Sequence, residues 1–127
     1  MSDVTTEQIR VQVESRFLPE HSSETRSLWV YTYTVTITNI GYQSSQLLRR
    51  HWYITDGWGK VQEVEGEGVI GEQPVLHPGE SHTYSSFCPL STPTGSMHGY
   101  YTFVRGAGEE FQAEVGLFAL GGNTLLN

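Results

Sequence analysis

The side chains able to do chemistry in this 127-residue chain are few. There is one cysteine, Cys88, and there are five histidines, His21, His51, His77, His82 and His98. No histidine pair has a zinc-motif spacing, and a lone cysteine offers neither a metal corner nor an internal disulfide. Cys88 shares an alternation face with Tyr84, which reads as a small buried hydrophobe rather than a nucleophile. Gly95-Ser96-Met97-His98-Gly99 brings a serine near a histidine, but it is not G-x-S-x-G and no strand–turn–helix elbow surrounds it. No catalytic residue is assigned, no cofactor is expected, and the chain reads as a non-enzyme.

Gly66-Glu67-Gly68-Val69-Ile70-Gly71 spells G-x-G-x-x-G. In a dinucleotide fold such glycines let backbone N–H groups approach a pyrophosphate while a following helix points its positive end at it. Here Pro74 and Pro78 follow instead of a helix. Glu63, Glu65, Glu67 and Glu72 crowd the segment, and no Lys or Arg occurs between Lys60 and Arg105. A bulged, bending loop is expected, and nucleotide or pyrophosphate binding at Gly66, Gly68 and Gly71 is kept as an alternative. Glu63, Glu65 and Glu67 share one strand face at a spacing of roughly 6.6 Å. They offer weak divalent-cation sensing as a second alternative, set against a solvated acidic edge that deters strand pairing.

The strands that must carry these groups are legible from alternation. Residues 9–17, 28–40, 46–56, 60–65, 81–88, 97–105 and 110–118 alternate, and a short extended piece lies between Pro74 and Pro78. Ile9, Val11, Val13 and Phe17 share one face, as do Trp29, Tyr31, Tyr33, Val35 and Ile37. In the third strand Leu48, Trp52 and Ile54 point inward. Arg50 breaks that face, so either its head snorkels at the edge or a bulge resets the register. Trp29 and Trp52 are expected as core anchors. Arg49, His51 and Tyr53 then face out, joined by His98 and Tyr100 from a neighbouring strand. Arg and Tyr are favoured at interface centres, so these five form the candidate partner-binding face. Asp56-Gly57-Trp58-Gly59 and Gly106-Ala107-Gly108 read as hairpin turns.

Composition agrees. Val, Ile, Thr and the aromatics outnumber the 3 alanines heavily, favouring strands over helices. Seven to eight short strands at this spacing predict an all-β, antiparallel immunoglobulin/fibronectin type III-like sandwich, a single domain over 1–127 with its core at about 4–120. The tail 121–127 is expected to fray, with Leu125-Leu126 docking at most. A net charge of −7 argues against nucleic acid as a partner. No stretch approaches the roughly 18 to 20 apolar residues of a membrane span, so no membrane insertion is expected. With one cysteine and no apolar leader at Met1–Glu7, a cytoplasmic home is expected.

Four blocks in order resemble one family. They are Leu47-Leu48-Arg49-Arg50-His51-Trp52 with Ile54-Thr55-Asp56, and residues 66–74 with Leu76-His77-Pro78-Gly79-Glu80. Cys88-Pro89-Leu90 with Thr92-Pro93, and Gly95 to Gly99, complete the set. Together they are similar to the ApaG family over roughly Val4 to Leu120. The resemblance implies a fibronectin type III-like sandwich, no established catalytic residues, and a link to cobalt resistance and magnesium efflux. It also implies protein binding, since related domains occur in F-box proteins and a DNA-polymerase-interacting protein. The partner is not named by the sequence, and a homodimer stays open.

Overall fold

The computed structural model describes residues 1–121, so the expectation for the tail and for Leu125-Leu126 lies, apart from Gly121, outside the described residues. Nine strands follow one another: β1 (Ser2–Thr6), β2 (Ile9–Phe17), β3 (Trp29–Asn39), β4 (Ser45–Asp56), β5 (Val61–Glu67), β6 (Val75–Leu76), β7 (Ser81–Leu90), β8 (Gly95–Arg105) and β9 (Glu109–Leu120). The single helical element among the described residues is a 3-10 turn at Pro19–His21. One sheet has the order β1-β2-β3-β7 and the other β5-β4-β8-β9, with β6 adding to β4. All pairings are antiparallel, and the two sheets form the expected sandwich.

The pleat alone sorts β3. Tyr31, Tyr33, Val35 and Ile37 enter the core, and Thr32, Thr34, Thr36 and Thr38 face out. Outside, Thr34, Thr36 and Thr38 pair hydroxyl to hydroxyl with Ser85, Thr83 and Ser81 of β7. Inside, Val11, Val13, Val35, Trp52, Met97, Tyr101, Phe103 and Phe118 belong to one cluster. Each such side chain contributes roughly 1.5–3 kcal/mol by leaving water. Trp52 makes edge-on contacts with Tyr33, Tyr101 and Phe118 at 5.4–6.0 Å. The sheets approach each other along β9, where the Ser15 hydroxyl donates to the Ala119 carbonyl and the Glu114 N–H donates to the Thr6 hydroxyl.

Four details depart from the alternation. Strand β1 was not expected, because Val4 is its one apolar side chain in the core-facing series. It forms because β2 offers a full antiparallel register. Trp29 is half-buried and outside the core cluster, whose first member in β3 is Tyr31; alternation assigns a side of the sheet but not how far along the strand the cover extends. Ile54 is only partly buried against that cluster. In β4 the register against β8 shifts between Leu47 and Arg49. Leu48 is the extra residue of that bulge, so Leu47 takes the buried position expected for Leu48.

Candidate functional site

Past the bulge, β4 returns to period two. Trp52 goes inward, while Arg49, His51 and Tyr53 go to the outer face of the five-stranded sheet. Register then builds rows across that face. Glu63, Tyr53 and His98 form one row, Glu65, His51, Tyr100 and Glu114 the next, and Glu67, Arg49, Thr102 and Gln112 the third. The five residues expected to face a partner are thus brought together, and the three alternate glutamates border them.

The rings stack across the strands. His51 lies on Tyr100 with centroids 5.0 Å apart and planes 10° from parallel, and Tyr53 lies on His98 at 4.9 Å and 16°. His51 also meets Tyr53 at 4.8 Å, so the four rings make one platform. Gly99 permits this closeness. It faces Trp52 across the β4–β8 pair, and a Cβ there would run into the His51 carbonyl. Any other residue would push β8 from β4 and part the stacked rings.

The charges are arranged around the platform. His51, only 14% exposed at its side chain, sits between two carboxylates: Nε2 is 3.2 Å from Glu63 and Nδ1 is 3.2 Å from Glu65. Arg49 pairs with Glu110 at 3.0 Å, both about half exposed, so the pair adds little stability. Partial desolvation, followed by the nearby Glu63 carboxylate, raises the Tyr53 phenol above its ordinary value and keeps it a neutral donor. Two adjoining hollows share Tyr100 and Gln112. One of about 360 Å3 lies over Arg49, His51, Glu65 and Glu67; the other, about 490 Å3, lies over Tyr53, His98 and Glu114. Gln112 and Glu114 were missed in the sequence, although their alternation against Phe111, Ala113 and Val115 carried the signal.

Elsewhere the glycine segment and the cysteine have local explanations. Val69 and Glu72 exchange both backbone hydrogen bonds across Ile70 and Gly71, whose φ values of 48° and 75° mark a type I′ hairpin turn. The Gly68 N–H donates to the Leu48 carbonyl, and no helix follows; β6 does. Arg50 is half-buried, and its Nη1 donates to the Glu67 and Gly68 carbonyls at 3.0 and 2.9 Å, tying the end of β5 down. Among the described residues, no group of three or more His, Cys, Asp or Glu side chains is placed to hold a metal ion. Cys88 is buried, which pushes its thiol up to about 11.

Known proteins share this fold and much of its sequence. The family model described as the ApaG domain matches residues 19–105. The chain belongs to the ApaG domain family. A Protein ApaG from Methylobacterium radiotolerans is 52% identical over 120 residues, covering 94% of this chain and 92% of that protein. A Protein ApaG from Acidithiobacillus ferrooxidans is 46% identical over the whole of both chains. A crystal structure of a Bordetella pertussis protein described as ApaA superposes with a TM-score of 0.86 at 46% identity, covering 88% of this chain and 91% of that one. The ApaG family and the sandwich reached from alternation therefore coincide.

Proposed function

We propose that this ApaG-family chain is a non-catalytic, cytoplasmic protein-interaction module that docks its partner on the outer face of the β5-β4-β8-β9 sheet. The observation that carries this reading is the platform of four stacked rings from His51, Tyr53, His98 and Tyr100. Planar, amphipathic rings held in place before binding lose little entropy on docking, and aromatic and Arg side chains dominate interface energetics. Arg49 supplies the fork-shaped donor at the rim. On this reading, the cobalt-resistance and magnesium-efflux link implied by the family resemblance runs through the bound partner. His51 already engages Glu63 and Glu65, two of the three acids of the cation-sensing alternative.

The test is site-specific cross-linking in the native cell. A photoreactive group in place of Tyr53 should capture a defined protein, and one in place of Thr36, on the outside of the other sheet, should not. In a pull-down of that protein, Arg49→Ala with Tyr53→Ala should weaken capture at least about tenfold, or ~1.4 kcal/mol. Arg49→Ala, at an exposed side chain, should cost folding stability no more than about 0.5 kcal/mol, and Tyr53→Ala, which removes two ring contacts from a half-buried side chain, about 1–2 kcal/mol. Equal labelling from both faces, or undiminished capture by the double variant, would refute the assignment.

A further inference from the structure

The two outer faces of the sandwich differ in charge. On the β1-β2-β3-β7 sheet, Arg10 and Arg16 balance Asp3 and Glu14 around a ladder of threonine and serine hydroxyls. On the β5-β4-β8-β9 sheet, five carboxylates, Glu63, Glu65, Glu67, Glu110 and Glu114, surround Arg49, which Glu110 engages, and His51, which Glu63 and Glu65 contact, leaving Glu67 and Glu114 outside these pairs. These acids ring an aromatic floor. Tyr100 is shared by both hollows, with Glu65 and Glu67 beside the first and Glu114 beside the second. Carboxylates at the rim and the face of Tyr100 that His51 leaves open make a receptor for flat cations. A guanidinium stacks on a tyrosine ring and forks to a carboxylate at the same time, whereas an ammonium meets the carboxylate as a point charge, with neither the planar stack nor the fork.

We infer that the partner presents an arginine-bearing protein segment to this face, its guanidinium groups seated in the two hollows on either side of Tyr100. The inference rests on the interaction reading above and specifies the chemistry of what binds there. Two adjoining hollows suit two side chains of one segment, and alternate residues of an extended chain stand roughly 6.6 Å apart on one side. The same charge that attracts such a segment repels a nucleic-acid backbone.

The experiment is an amide NMR titration of the full chain with three probes: a synthetic peptide alternating glycine and arginine, its lysine counterpart, and spermidine. The arginine peptide should give saturable shifts at residues 49–53, 63–67 and 98–102, and should bind at least about threefold tighter than the lysine peptide. Glu63→Gln, Glu65→Gln and Glu114→Gln combined should weaken it at least about tenfold, and added salt should weaken it further. The inference is overturned if no probe saturates by about 5 mM. It is equally overturned if the triple variant binds undiminished, if spermidine matches the arginine peptide, or if the shifts fall on the threonine face. Should the peptide fail while a cross-linker at Tyr53 still captures a cellular protein, the docking face stands and its basic partner falls. Failure of both removes both.

Discussion

Alanine in place of Gly68 or Gly71 separates a structural glycine run from a ligand cradle. Both residues have positive φ, 65° and 75°, where an L side chain costs about 1–2 kcal/mol. At Gly71 nothing lies within 4 Å of an added methyl group, so the conformational cost stands nearly alone. The stiffer unfolded chain offsets part of it, leaving about 1 kcal/mol. At Gly68 the methyl group would strike the Glu72 backbone carbonyl, which cannot swing aside as a side chain would. The Val69–Glu72 hairpin must shift, adding about 1–3 kcal/mol of overpacking, for a total of about 2–4 kcal/mol. Urea denaturation followed by tryptophan fluorescence reads the difference. With a slope of about 2 kcal/mol per molar, Gly71→Ala should lower the midpoint by roughly 0.5 M and Gly68→Ala by roughly 1–2 M. Equal losses, or the reverse order, would show that the segment is not held as described. In parallel, millimolar ATP should leave the amides of Gly66, Gly68 and Gly71 unmoved; saturable shifts there, abolished by Gly68→Ala, would establish the nucleotide alternative instead.

Two further predictions concern the core. Tyr84 and Tyr101 pair hydroxyl to hydroxyl in the interior, so Tyr101→Phe alone should cost about 1–3 kcal/mol by stranding the Tyr84 hydroxyl, while the double change to Phe should cost less than the sum of the singles. Additive losses in a double-mutant cycle would refute that pairing. Stability should also fall in alkali: burial raises Cys88 to about 11 and pushes Tyr84 and Tyr101 up, so above about pH 9 the unfolded chain releases protons that the folded chain keeps. Stability is thus full below about pH 9, and Cys88 alone forfeits about 2–3 kcal/mol as pH rises through 11, with the phenols adding loss above about pH 10. A midpoint unchanged from pH 8 to about pH 11, or rapid native-state thiol labelling at pH 8, would contradict the buried, protonated cysteine.

What alternation determined was the side of the sheet each regular strand residue takes. Tyr31, Tyr33, Val35 and Ile37 lie inside and the threonines between them outside because successive side chains leave a pleated strand on opposite faces. The same rule put Arg49, His51 and Tyr53 opposite Trp52, so the candidate face was legible strand by strand. Turn chemistry at Asp56, whose carboxylate accepts from the Trp58 and Lys60 N–H groups, was equally local. Tertiary structure decided which residues meet. Glu63 and Glu65 reach the two nitrogens of His51, and His51 stacks on Tyr100, only through the registers of β5 and β8 against β4. Register is the sum of many long-range hydrogen bonds and of core packing, and no window of one strand contains it. The bulge at Leu48 belongs to the same class, since its carbonyl is engaged by Gly68 and Gln73, far downstream in the chain. A period-two pattern fixes which face a side chain takes; neighbours across that face come from the pairing of strands far apart in the chain.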